Sequence, residues 1–466
     1  MKIDILPEDV LLEIFDAYRH LYKIQPDYEA LWNSRDGWFK LTHVCLRWRR
    51  VVFLASSRLH LHLLFTPHRS SRATVLRCLP RFPFLVDYRT ASWTKKEQNL
   101  ALAAIRHRGR VRGIALRNPF PVTLLCALTH PFPELESLEI CSTQHEVLLP
   151  SMILLGSAPS LRQFTLWDIA PRCISPLLSS ATGLVELALT LRVAYRGPPE
   201  ASLIMNLQRM SCLRRLELKL NFSYLFMTIT PITPPPPAST GDVPLSNLTD
   251  IIFMGPSSYL QMLVAGLAAP SLQHLDAEVC DTGSPPIPPI PHLCKFICDT
   301  QCQFLVVRLG LDLLRGKLKF SAETRSKSDL FRITIPDPVS ESLEEVGNIL
   351  SGPLSTVEEF FFDVPPSPST TPRPIRWRGF FNHIQQAKFV QVPSQAVLDV
   401  AHSFQLDGRG PVLDLLPALE QVKVHLTYLP PTGTNRHDQN VSICHAFEPL
   451  IAARKQVGCP IILSWA

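Results

Sequence analysis

Hydrophobic positions along this chain follow two periods. From Pro7 the apolar residues Val10, Leu11, Ile14, Phe15, Tyr18, Leu21 and Tyr22 recur every three or four residues, which on a helix makes one wide stripe. Pro7 suits a first helical turn, and Glu8 and Asp9 suit the positive end of the helix dipole. A second stripe, Trp38, Leu41, Val44, Cys45, Trp48 and Val52, follows the same rule, with Arg47, Arg49 and Arg50 interleaved. Two amphipathic helices are therefore predicted near the N-terminus. A module of about 55 residues this rich in large apolar side chains cannot cover them all by itself, because small domains bury a smaller share of their surface. Either the rest of the chain or a partner groove must cover the remainder, and for a groove Phe15 and Trp48 are the natural anchors.

Further along, the period changes to two, inside a recurring L-x-x-L-x-L phrase. In order the phrases are VRGIAL from Val111, LESLEI from Leu135, LRQFTL from Leu161, LVELAL from Leu184, LRRLEL from Leu213, LTDIIF from Leu248 and LQHLDA from Leu272. Looser versions follow: LCKFIC from Leu293, LFRITI from Leu330, VEEFFF from Val357 and LEQVKV from Leu419. Starts of the first seven lie 24, 26, 23, 29, 35 and 24 residues apart, room for one strand and one helix per unit, and PITPPPPAST accounts for the longest interval. Intervening segments such as ASLIMNLQRM and SSYLQMLVAGLAA carry helical spacing. The phrases resemble leucine-rich repeats, and the resemblance implies a curved solenoid whose parallel strands line a concave face. The Asn or Cys that usually follows the phrase is present only as Asn221 and Cys280, so irregular turns are expected.

Composition fits such an array. At 466 residues the chain exceeds one compact core, and 43 prolines with only 18% charged residues suit many short elements separated by turns. No run of about 18 apolar residues occurs, and Asp4, Glu8, Asp9, Glu13 and Asp16 interrupt any leader-like stretch, so neither a membrane span nor a secretory signal is expected. Twelve singly scattered cysteines then read as reduced thiols of a cytoplasmic or nuclear protein, and the sequons at Asn221, Asn247 and Asn440 as bare.

Candidate chemistry is sparse. Cys294, Cys298 and Cys302, with His292 nearby, have metal-like spacing, but on a strand and its turn that spacing does not bring the thiols to one face. His60 and His62 lack a third ligand, and no G-x-S-x-G, phosphate loop, dinucleotide fingerprint or H-E-x-x-H occurs. A non-enzyme with no cofactor and no metal is expected. Residues 1–117 carry 21 Lys and Arg against 10 acids, concentrated in RHRGRVR from Arg106, yet no interleaved aromatics supply a nucleic-acid stacking surface. An acidic protein partner or a solvated edge suits this patch better than nucleic acid.

The N-terminal stretches themselves carry a second resemblance. LPEDVLLEIF, then LTHVCLRWRRVV, then SSRLHLHLLF, is similar in order and spacing to an F-box domain. The intervening AYRHLYKIQPDYEALWNSRDGW is longer than an ordinary F-box link and resembles the expanded F-box families of mushroom-forming fungi. The resemblance implies a helical module that binds the Skp adaptor and through it a cullin, with Leu6, Pro7, Val10, Leu11, Ile14, Phe15, Leu41, Val44, Cys45 and Trp48 facing the adaptor.

The expected chain is thus α/β: an F-box-like module over 1–65, a linker or helical cap over 66–105, and an irregular leucine-rich-repeat-like solenoid over 106–466. Pro-rich loops are expected near 231–244, 284–291 and 365–374. An unidentified protein target would contact outward strand positions, including Glu139, Thr165, Glu217 and Lys219. Two alternatives stay open: a repeat scaffold outside any ligase, and a nucleic-acid binder using the basic N-terminal third. PPIPPIP could itself be a polyproline ligand.

Overall fold

Each regular L-x-x-L-x-L phrase becomes a short strand entered through a buried leucine or, at Val111, a buried valine. The computed structural model describes residues 6–23, 37–55, 58–59, 63–65, 83–88, 94–117, 122–142, 153–167, 174–192, 201–221, 245–280, 291–300, 304–312, 317–324, 330–336, 347–348, 350–363, 377–394, 396–406, 410–411, 415–425 and 436–465. They divide into two units, Met1–Arg192 and Val193–Ala466.

The first unit opens with helix α1 (Glu8–Lys23), a 3-10 segment Gly37–His43 and helix α2 (Leu46–Leu54). Strands β1 (Leu63–Phe65), β2 (Phe84–Tyr88), β3 (Val111–Arg117), β4 (Ser137–Cys141), β5 (Gln163–Trp167) and β6 (Glu186–Arg192) follow, all parallel and in sequence order. Leu135, Leu161 and Leu184 are buried at the entry of β4, β5 and β6, and Leu138/Ile140, Phe164/Leu166 and Leu187/Leu189 point inward from those strands. Burying each such side chain stabilises by about 1.5–3 kcal/mol relative to leaving it exposed. Below the strands the entry turns form their own backbone ladder: the amides of Glu136, Arg162 and Val185 donate to the carbonyls of Arg112, Glu136 and Arg162, each at 2.8 Å.

The second unit contains β7 (Arg215–Asn221), β8 (Asp250–Gly255), β9 (His274–Val279), β10 (Phe304–Asp312), β11 (Lys317–Thr324), β12 (Leu330–Pro336), β13 (Glu359–Asp363), β14 (Phe389–Pro393), β15 (Gln405–Leu406), β16 (Gly410–Pro411), β17 (Gln421–His425) and β18 (Ile462–Trp465). Its main sheet runs β7-β8-β9-β12-β11-β10-β13-β14-β17-β18, while β15 and β16 pair separately as a hairpin. Every adjacent pair described in the main sheet is parallel except those of β11, which runs antiparallel to both β10 and β12. The reason is local. Residues 313–316 between β10 and β11 are too few for the crossover of a dozen or more residues that a parallel pair needs.

Several elements differ from those the sequence predicts. LCKFIC is not a strand but part of the helix Pro291–Asp299, in which Leu293, Phe296 and Ile297 are buried. The L-x-x-L half of the phrase is also the i, i+3 spacing of a helix, and here Ile297 rather than the residue after it completes the apolar face. The segments ASLIMNLQRM and SSYLQMLVAGLAA are helical as expected, over Ala201–Leu207 and Ser257–Ala265. The second N-terminal stripe is not one helix either: Cys45 adopts extended backbone and caps α2, separating it from the 3-10 segment.

Within 66–105, read as linker or cap, the structure describes β2 and the helix Lys95–Ile105. The Pro-rich loops near 231–244, 284–291 and 365–374 lie outside the described residues, apart from Pro291, which opens its helix. His60, His62 and Cys302 also lie outside them. No helix among the described residues is long and apolar enough to cross a membrane.

Candidate protein-interaction surfaces

The N-terminal module sorts the ten adaptor-facing candidates into an inner and an outer set. Leu11, Phe15 and Leu41 are buried, together with Leu12, Val51 and Val52. Phe15 meets Trp48 edge-on with ring centroids 4.8 Å apart, so both expected anchors first serve the module's own core. Cys45 acts as the cap, its Sγ accepting from the Trp48 amide at 3.4 Å.

Leu6 is half-buried, and its carbonyl accepts from Arg47 Nη2 at 2.6 Å; Arg49 Nε donates to the Thr42 carbonyl at 2.8 Å. The interleaved arginines therefore tie the three short elements together. Pro7 precedes the first helical residue rather than occupying the first turn, and its carbonyl accepts from the Leu11 amide at 3.1 Å. The outer set is Pro7, Val10, Ile14 and Val44; Val10 and Ile14 are each 41% exposed and Val44 56%. Leu46, absent from the candidate set, is the most exposed at 79%. Its place one residue after the cap puts it on the first turn of α2, a position the continuous-helix reading obscured.

The strands of the first unit present a different surface. Across β2 to β6 the outward positions align in rows: Leu85, Gly113, Ser137, Gln163 and Glu186 in one, and Asp87, Ala115, Glu139, Thr165 and Ala188 in the next. Glu139 and Thr165, both expected at a target site, are thus side by side. A groove of about 660 Å³ lies over these rows, lined among others by Asp87, Arg112, Glu136, Glu139, Arg162 and Glu186. Its floor is open because Gly113, Ala115 and Ser137 are small; a Cβ added at Gly113 would lie 2.7 Å from Leu85 Cδ2.

Ion pairs organise the charges around this groove. Arg112 reaches Glu136 at 2.8 Å and Glu134 at 2.9 Å, and Arg117 reaches Glu139 at 2.7 Å. Burial acts to lower the Arg117 pKa, but the hydrogen bond and charge of Glu139, with a contribution from Cys141, hold it above its ordinary value. The candidate set missed Arg112, Glu136 and Arg162, although a signal existed: these are the second residues of successive phrases, alternating in sign.

Glu217 and Lys219 project from β7 in the second unit, where Lys219 Nζ reaches Glu217 Oε1 at 2.7 Å and Arg215 reaches Oε2 at 3.3 Å. Burial acts to raise the Glu217 pKa, yet the hydrogen bonds and charges of Lys219 and Arg215 hold it below the usual carboxylate value. Further along the same unit, Arg308 stacks 4.2 Å over the Phe361 ring, which lies 5.4 Å from Phe389.

Cys294 and Cys298 lie on a helix, not on the strand expected, and Cys302 lies outside the described residues. Among the described residues no group of three or more His, Cys, Asp or Glu could hold a metal ion.

No family model matches the chain, and no curated protein is similar to it in sequence. Among solved structures it is similar to an internalin of Listeria monocytogenes, at 13% identity and a TM-score of 0.31, over 68% of this chain and 75% of that one. The parallel register and the phrase spacing themselves define the leucine-rich-repeat-like architecture described above.

Proposed function

We propose that the chain is a non-catalytic receptor. Its N-terminal helices dock on a Skp-type adaptor, and through it on a cullin, while the strand array holds a target protein for ubiquitin transfer by other subunits. The observation that carries this reading is the division of the N-terminal module. Its core is filled by Leu11, Phe15, Leu41 and Val52, yet Pro7, Val10, Ile14, Val44 and Leu46 remain exposed. Exposed apolar groups on an element that already has a core suit a protein contact.

Such a receptor needs no catalytic residue, cofactor or metal, because it acts by raising the local concentration of a target beside the transfer machinery. It would work in the cytoplasm or nucleus, without a membrane and without nucleic acid. The test is to purify the tagged full chain from cells under gentle conditions. Adaptor and cullin should co-purify at near-equal amounts, and their absence from a folded preparation would count against the ligase reading.

One observation favours a second reading, a protein-binding scaffold outside any ligase. Leu11, Phe15 and Leu41 face inward, as they would if the helices served only to cap the array. A chain that binds protein targets but never an adaptor would decide for it.

A further inference from the structure

We infer that the groove over β2 to β6 takes an extended, lysine- or arginine-bearing segment of a partner protein. The inference rests on the reading of the strand face as target-binding and names the chemistry of what it holds.

The chain is net +6, and residues 1–117 alone carry an excess of 11 basic groups. The groove reverses that sign locally. Its lining contains the accessible carboxylates of Glu136, Glu139 and Glu186 against the guanidinium groups of Arg112 and Arg162, with Asp87 buried beneath them, a formal excess of one accessible acid. Adding the ion-pair partners at its edge, Glu134 and Arg117, leaves the excess unchanged. A locally acidic cleft in a basic protein attracts cationic groups selectively, since the low-dielectric wall focuses the field while the surrounding surface repels them.

Shape narrows the occupant. At about 660 Å³ the groove lies within the range of clefts that take small ligands or a few residues of a peptide. Its floor crosses five parallel strands over Gly113, Ala115, Ser137 and Thr165, so nothing large blocks a chain laid across them. Existing pairs fix the geometry of the acids: Arg112 holds Glu136 and Arg117 holds Glu139, so both carboxylates stand oriented before any ligand arrives. Glu186, exposed at the β6 end, forms none of these pairs. Arg112 and Arg162 in the same lining would meet backbone carbonyls or an acidic neighbour in the segment. Alternating Lys and small residues therefore fit better than a polylysine run.

The experiment uses the full chain and two fluorescent probes of equal length, acetyl-(Lys-Ala)3-amide and acetyl-(Glu-Ala)3-amide, followed by anisotropy. The Lys probe should bind at least about tenfold more tightly than the Glu probe, and its affinity should fall as salt rises. Glu186→Lys and Gln163→Lys, both exposed positions on this face, should each weaken the Lys probe about tenfold while leaving the melting temperature unchanged. Equal binding of the two probes, or full Lys-probe affinity in both folded variants, overturns the inference. So does tighter binding of a single-stranded oligonucleotide that these variants strengthen.

Adaptor co-purification is measured on the same variants. Loss of Lys-probe selectivity with the adaptor retained sinks the groove inference alone. Absence of adaptor from a wild-type chain that still selects the Lys probe sinks the ligase reading alone.

Discussion

Phe15 shows how one residue can mislead a site assignment. By sequence it is an anchor for a partner; in the structure it is about 1% exposed and packed on Trp48. Phe15→Ala should therefore cost about 3–5 kcal/mol of stability in the N-terminal module, read by chemical denaturation, and any loss of partner binding would be confounded by unfolding. Val10 and Ile14, at the margin of the same stripe, are the residues whose change tests binding cleanly.

Glu217 carries a pH prediction at the same scale. Its pKa in the folded chain lies below that of the unfolded chain, so its pairs with Lys219 and Arg215 stabilise above the unfolded value of about 4.3. That contribution is lost as pH falls through the folded value. Glu217→Gln should flatten the acid limb of the stability curve, and an unchanged limb in a pH series of melting temperatures would show that the pairs do not matter.

Elements were legible where one period dominated. LESLEI, LRQFTL and LVELAL became β4, β5 and β6 because alternation and a leading buried leucine agreed. The strand β14 was missed because its phrase, Ala387 with Val390 and Val392, has alanine at the entry position, though all three are buried like their leucine counterparts. LCKFIC failed for the opposite reason, since its leading leucine serves a helix equally well.

Capping decides other boundaries. The helix Lys95–Ile105 starts at a capping box in which Thr94 Oγ1 accepts from the Glu97 amide at 3.3 Å and Glu97 Oε2 accepts from the Thr94 amide at 2.7 Å. Thr94→Ala should cost about 1 kcal/mol, measured by denaturation. At α2 the cap is the weak acceptor Cys45 Sγ, so Cys45→Ser should stabilise by about 0.5 kcal/mol where the smaller hydroxyl reaches the Trp48 amide. A destabilised Ser variant would mean that the sulfur's packing outweighs its capping.

At the scale of the whole molecule, the repeat array could be read from the sequence but the meander β10-β11-β12 could not. Its antiparallel pairing follows from the few residues between β10 and β11, which no hydrophobic period encodes. Glu139 and Thr165 are the groove-lining residues that strand alternation picks out. Arg112, Glu136 and Arg162 hold the second position of their phrases, whereas Glu139 and Thr165 hold the fifth, between the two inward residues of the strand. The exposed apolar edge of the N-terminal module is the proposed adaptor contact. The most direct measurement is calorimetric titration of a purified Skp-type adaptor into the full chain and into the Val10→Asp, Ile14→Asp double variant, with circular dichroism to verify the fold. Two exposed anchors worth about 1.5 kcal/mol each predict a loss on the order of a hundredfold in affinity without loss of helix. A wild-type chain that gives no binding heat at any adaptor concentration, or a folded double variant that binds as tightly as wild type, would contradict it.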